Sequence, residues 1–358
     1  MENKSLYRYI TITAALIVGA YFLILGLVEA RAFLAPLVIA TVLSLLIYPL
    51  CKKIEKKLSR SVSCLLSVFI LFILSLGIVF LVSYQIHGFV EEWPSIKENM
   101  APKVENLKNF LVQNTPISSE DVKGQNFDKI SSKIKEPGSK ALGFISGTTS
   151  FLTNYFLVFI YIFFILCYRK RFFNFLIKLF SKEHTHEVEK TSGELTDVVS
   201  QYLIGKLLLM GALAVSYSIG LGISGVENFI LISLIAALLT LIPYIGNMIG
   251  FGLAFSFGYL VSGEIGVLIG VIITFVVSQF LESYVLQPYV IGERVNLHPF
   301  LVILMVIFWG SIWGISGMIL AVPLTAILTT IMLHIPKLKI IGELFQNEPI
   351  NEKSKKSD

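Results

Sequence analysis

Charge is what this sequence lacks. Asp, Glu, Lys and Arg make up 15% of the 358 residues, against about 25% in an ordinary soluble domain. The shortage is concentrated: the 136 residues from 201 to 336 hold six of them, Lys206, Glu227, Glu264, Glu282, Glu293 and Arg294. A water-soluble core cannot hide that much apolar surface. A soluble enzyme is therefore excluded, and the chain reads as an all-α polytopic membrane protein. Cysteine is scarce too: Cys51, Cys64 and Cys167 cannot all pair, so no disulfide framework is implied. There is no G-x-x-x-x-G-K-[ST] loop, which argues against a built-in ATP-driven pump. H-E-x-x-H, a plausible Asp pair and a plausible serine–lysine pair are missing as well, so no catalytic residue, metal or cofactor is expected.

What the sequence has is long apolar runs. Crossing the hydrocarbon takes about 20 apolar residues in a helix, and five stretches supply them: 9–28, 33–50, 63–86, 149–168 and 203–223. The first follows Lys4 and Arg8 as a signal peptide would, but it exceeds the usual apolar core of about 7–15 residues and reads as an uncleaved helix. Between the second and third runs lie Lys52, Lys53, Lys56, Lys57 and Arg60 against a single Glu55. After the fourth come Arg169, Lys170, Arg171, Lys178 and Lys182 with no carboxylate among them. The net charge of +5 thus sits in short loops, as an orientation signal and not a nucleic-acid footprint. Both loops are expected in the cytoplasm, with the N-terminus inside and segment 87–148 outside.

Segment 87–148 balances eight Lys with eight acidic residues. Trp93, Ile96, Met100, Val104, Leu107 and Leu111 recur at helical spacing, and Pro116 and Pro137-Gly138 close the helical stretches. A small helical extracytoplasmic cap fits this pattern better than a binding domain. Four regions are expected: spans one to three in 1–86, the insert in 87–148, spans four to eight in 149–336, and a cytoplasmic tail in 337–358.

Two apolar runs are too long. Residues 229–261 have Pro243 and Gly246 at their centre, and residues 300–334 are interrupted by Gly310, Gly314, Gly317 and Pro323. Straight, each would measure about 50 Å against a core of about 30 Å, so each must break, tilt or fold back. About eight membrane segments, two of them broken, is the preferred count; six crossings with both runs re-entrant is the alternative. Sixteen of the 26 glycines fall within 201–336, among them the pairs Gly246/Gly250, Gly266/Gly270 and Gly310/Gly314. Close helix packing explains small residues at this spacing. Broken helices explain why proline and glycine coincide at both centres, and such breaks are where secondary transporters hold substrate and ions.

Charge inside a span is costly and so suggestive. Glu282 shares a helix face with Ser278 and Gln279, and both coupling-ion chemistry and interface anchoring fit it. Lys206 lies close enough to a span end to snorkel. Glu293 and Arg294 are adjacent, so they point apart on a helix. His184-Thr-His186-Glu187 reads as a solvated charged face and not a metal site. Gly220-Leu-Gly-Ile-Ser-Gly225 ends a membrane helix, which is the wrong setting for a dinucleotide loop.

The chain resembles the autoinducer-2 exporter family, the PerM-like permeases. The resemblance is carried by Tyr202-Leu-Ile-Gly-Lys206, Leu241-Ile-Pro-Tyr-Ile-Gly246, Gln279-Phe-Leu-Glu282, Gln287-Pro288, Val290-Ile-Gly292, Leu297-His-Pro299, and Gly314-Ile-Ser-Gly317 through Ala321-Val-Pro323. It departs from the family pattern at Asn247, where a second proline is common, and at Lys206, where many relatives carry glutamine. The resemblance implies a multispan transporter of the bacterial cytoplasmic membrane, forming homo-oligomers and exporting the autoinducer-2 signal or exchanging sodium or lithium for protons. On this reading the breaks at Pro243–Asn247 and Gly310–Gly317 meet near the midplane. Tyr244, Asn247 and Gln279 bind a small polar solute or monovalent cation, and Glu282 carries the coupling charge. A non-transporting scaffold of the cell envelope is the alternative from another class.

Overall fold

The computed structural model describes residues 2–114, 148–179, 185–262, 264–290 and 296–347. Among them every regular element is helical. In chain order these are α1 (Glu2–Glu29), α2 (Arg31–Glu55), α3 (Arg60–Asn114), α4 (Thr148–Leu179), α5 (Thr185–Ile223), α6 (Phe229–Leu239), α7 (Ile245–Phe257), α8 (Ile265–Phe280), α9 (Pro299–Trp313), α10 (Ile315–His334) and α11 (Lys339–Phe345). Wide π turns follow α7 at Gly258–Ser262 and α8 at Leu281–Leu286. Seven helices are long and apolar enough to cross a membrane: Ile10–Glu29, Arg31–Glu55, Arg60–Gly88, Leu152–Phe175, His186–Ile223, Ile265–Val290 and Ile315–His334. Leu16, Ile17, Phe22 and Leu23 of α1 are each more than 60% exposed. Such a surface is costly in water and costs little against lipid. The chain is a multi-pass membrane protein.

Two helices extend beyond the expected spans. α3 is 55 residues long, about 82 Å at 1.5 Å per residue, so the stretch after residue 87 continues the third span. α5 begins at Thr185 and carries its charged first turns into the span without a break. The insert beyond Asn114 with Pro116 and Pro137-Gly138, the Glu293-Arg294 pair, and the tail beyond 347 lie outside the described residues.

Both overlong runs fold back. α6 and α7 pack against each other with nested partners: Gly250 meets Ala236, while a methyl group on Gly246 would overlap the Leu239 carbonyl. The turn is written in the sequence. At the end of α6 the helix tightens, with Thr240, Leu241 and Ile242 donating to the carbonyls three residues back, and Pro243 then brings no N–H. Tyr244 takes φ 61°, and Gly246 N donates to Ile242 O at 3.0 Å. Every N–H from Thr240 to Gly246 that needs a partner in hydrocarbon thus has a local one, apart from the half-exposed tip at Tyr244. α9 and α10 turn on one residue, Gly314, at φ 62° and ψ −139°, a region closed to side chains. Gly310 packs on Met318 and Gly317 against the Trp309 carbonyl. Beyond α10, Phe345 O accepts from His298 N at 2.9 Å, which returns the end of this hairpin to its beginning. Pro323, expected among the interruptions, lies buried in an uninterrupted α10. Of the small-residue pairs, Gly266 meets nothing within 4 Å, whereas Gly270 lies against Ser224.

The described residues fall into two compact units, one drawn from 1–65, 157–200 and 295–358, the other from 66–156 and 201–294. In the first, Arg169 pairs with Glu55 and lies 5.1 Å over the Tyr48 ring, so the two basic stretches meet. Trp313 Nε1 donates to Leu27 O at 3.0 Å, and His334 Nε2 lies 3.1 Å from Glu194. In the second, Leu209, Leu213, Tyr217 and Leu221 form one stripe of α5, which packs with α6, α7 and α8 around Ala236, Ala254, Val271 and Phe275. Tyr217 stacks on Phe275 at 4.6 Å, and Gly220 sits against Thr274, so that small residues let the backbones close in.

Substitution of Gly246 by alanine is expected to cost about 1–3 kcal/mol, because the added methyl meets backbone. Gly252→Ala adds its methyl to open space within α7 and should be neutral or stabilising by up to about 1 kcal/mol. Thermal unfolding of the purified variants in detergent checks the ranking. Gly314→Ala is expected to fall with Gly246→Ala, since it forces a side chain into a strained backbone at a cost of about 1–3 kcal/mol.

Candidate functional site

In the second unit the α6–α7 turn delivers Asn247 into the first turn of α7, opposite the end of α8. There α8 widens into the π turn Leu281–Leu286, a local change of pitch often found at functional sites. Glu282 lies within that turn and is 6% exposed. Its Oε2 accepts from Asn247 Nδ2 at 3.1 Å and from Gln279 Nε2 at 3.3 Å. Asn247 Nδ2 also donates to Gln279 Oε1 at 2.8 Å, and Gln279 Nε2 to Ser283 Oγ at 3.2 Å.

This small network is consistent in its donors and acceptors. Both amides turn their NH2 groups toward Glu282 Oε2, which accepts from each. One acceptor is left over: Asn247 Oδ1 is buried and has no hydrogen-bond partner. Such an atom carries a desolvation cost until a donor or a cation meets it. On α5, Lys206 is half-buried and within electrostatic range of Glu282, as is Tyr217. One helical turn before Glu282, Ser278 Oγ lies 2.8 Å from Ser216 Oγ on α5. A buried acid, two amides and serine hydroxyls thus converge on one end of α8, with Gln279 and Tyr244 exposed.

Among the residues singled out from the sequence, Asn247, Gln279 and Glu282 come together, with Lys206 nearby. Pro243, Tyr244 and Gly246 shape the turn that presents Asn247. Gly310, Gly314, Gly317 and Pro323 belong to the first unit, where the first three build the α9–α10 hairpin. Glu293 and Arg294 lie outside the described residues. Sequence reasoning missed Ser283 and Ser216. Ser283 follows Glu282 directly and joins only through the amide of Gln279, and Ser216 is one of several serines on α5 without a distinguishing spacing.

Comparison with known proteins bears on what this arrangement serves. The model of the AI-2E family transporter matches residues 10–337. "Putative transport protein YueF" of Bacillus subtilis (strain 168) is 28% identical over 85% of this chain and 84% of its own length. "Putative transport protein YrrI" of the same organism is 26% identical over 86% and 88%. A "Putative transport protein" of Haemophilus influenzae is 28% identical over 90% and 92%. With a match from the first span to the end of the last hairpin, the chain belongs to the AI-2E family of membrane transporters.

Proposed function

We propose that the protein is a secondary transporter of the bacterial cytoplasmic membrane that moves a small polar solute, with the autoinducer-2 signal as first candidate. On this reading both termini and the basic loops are cytoplasmic, and copies of the chain associate. The observation that carries it is the buried Glu282 carboxylate beside Asn247 Oδ1, a buried acceptor without a partner. A hydroxylated solute offers O–H donors to such a pair, and a proton or cation neutralises the carboxylate once the solute has left. A polar, partly exposed face at Gln279 and Tyr244 suits a watery path and is costly against lipid. The sequence has no phosphate-binding loop, so on this reading flux is passive or driven by an ion gradient.

Exchange of sodium or lithium for protons is the second reading, because the same oxygens suit a hard cation. Among the described residues of this unit Glu282 is the one buried carboxylate, which favours a neutral solute.

Inside-out vesicles holding the protein should accumulate labelled autoinducer-2 under a proton gradient. Glu282→Gln should reduce that uptake at least tenfold, as should a protonophore. Uptake indifferent to both would overturn the coupling role. In parallel, proteoliposomes with an internal pH dye receive sodium or lithium against a potassium control. A saturable pH change lost in Glu282→Gln would install antiport in place of solute export.

The watery path has its own check. Asn247→Cys, in a Cys167→Ser background, should react with a membrane-impermeant thiol reagent, while Ile273→Cys on the exposed apolar side of α8 should not. Equal protection of both positions would count against a path.

A further inference from the structure

The first unit gathers all three cysteines of the chain in one place. Cys51 near the end of α2 and Cys64 near the start of α3 are fully buried, with their sulfurs 3.8 Å apart. Cys167 on α4 interacts with Cys64 as well. Arg169 Nη1 donates to Cys51 Sγ at 3.7 Å, and its guanidinium is held in place by Glu55 and the face of Tyr48. Arg60, one helical turn before Cys64, keeps Nε and Nη2 buried without a hydrogen-bond partner.

Cysteine as a small apolar filler accounts for the burial. It does not account for the convergence of all three from three helices, or for a guanidinium aimed at one sulfur. Metal binding is disfavoured: among the described residues no three His, Cys, Asp or Glu side chains form a set that could hold an ion. Two sulfurs 3.8 Å apart, one of them facing a guanidinium, are close enough for oxidation to join them.

We propose that Cys51 and Cys64 form a reversible redox pair, oxidised by a small peroxide to a disulfide that ties the end of α2 to the start of α3. The sulfur of Cys51 attacks one oxygen of hydrogen peroxide and gives up its proton. The O–O bond breaks, and the departing hydroxide takes up the proton that Cys51 released and leaves as water. The sulfenic acid on Cys51 is then attacked by the sulfur of Cys64. The S–S bond forms, and the hydroxyl leaves with the Cys64 proton as a second water. Two thiols lose two electrons and two protons, and one peroxide becomes two waters. Arg169 faces the Cys51 sulfur, where charge develops as the proton leaves. Because both sulfurs are buried, the oxidant has to be small. The exposed connection Lys56–Ser59 between the two helices is the piece of chain that the bond closes into a loop. A soluble dithiol reverses the bond by exchange.

The test uses the full chain in membranes. After hydrogen peroxide treatment the protein is denatured, free thiols are blocked with N-ethylmaleimide, and peptides are mapped by mass spectrometry. The expected result is a cross-linked pair containing Cys51 and Cys64, removed by dithiothreitol and retained in Cys167→Ser. Arg169→Lys, which keeps the charge but loses the planar fork, should slow the cross-link without changing its partners. Cys51 and Cys64 recovered as free thiols, or Cys64 joined to Cys167 in place of Cys51, would overturn the proposal. The wild-type map gives that answer even if a variant folds poorly.

Discussion

A backbone N–H or C=O in hydrocarbon has no water to turn to, and each one left unpaired costs several kcal/mol. That constraint organises this protein. It makes the described chain helical, and it decides how the chain can reverse inside an apolar run. At Thr240–Gly246 the reversal is made by tightening the last helical turn, inserting a proline that has no donor, and closing back onto Ile242. At Gly314 it is made by one residue, with Gly314 N still bonded to Gly310 O and Met318 N to Gly314 O. The same demand explains the polar network. Glu282 is tolerable in its turn because two amides donate to it, and those amides are tolerable because they have the carboxylate.

Close approach is the second requirement. Lipid does not drive helices together by the hydrophobic effect, so contact area has to come from fit. Gly220 against Thr274, Gly250 against Ala236 and Gly270 against Ser224 each bring two backbones nearer than a larger residue would permit. The aromatic stack of Tyr217 on Phe275 fills the middle of that packing. The result is a packed mounting for Asn247 and Glu282, which lie 35 residues apart in the chain.

Much of this was legible in the sequence. Span positions follow from apolar length alone, and Pro243 with Gly246, and Gly314, marked where both long runs yield. What these residues do not encode is the angle of the break, since a missing N–H or a free φ permits a kink as readily as a full reversal. The reversal came from partners such as Ala236 and Gly250, which reveal themselves only once paired. Pro323 misled for a related reason: proline removes one donor, and a buried helix such as α10 can run through that loss. Asn247, Gln279 and Glu282 were readable as polar groups in apolar surroundings. The π turn under Glu282 was not, because one extra residue per turn leaves no mark on composition or spacing.

The hairpin α6–α7 also bears on how the protein is made. Its arms have 11 and 13 residues, about 16 and 20 Å, and neither can span the bilayer alone. A segment of that length leaving the ribosome has no stable transmembrane position of its own. It gains one when the stripe of α5 and the later-synthesised α8 are both present to cover it. Chain order and assembly order therefore differ in this unit: the hairpin is synthesised before α8 but has to settle after it, so damage to α8 should leave α6–α7 exposed to quality-control proteases.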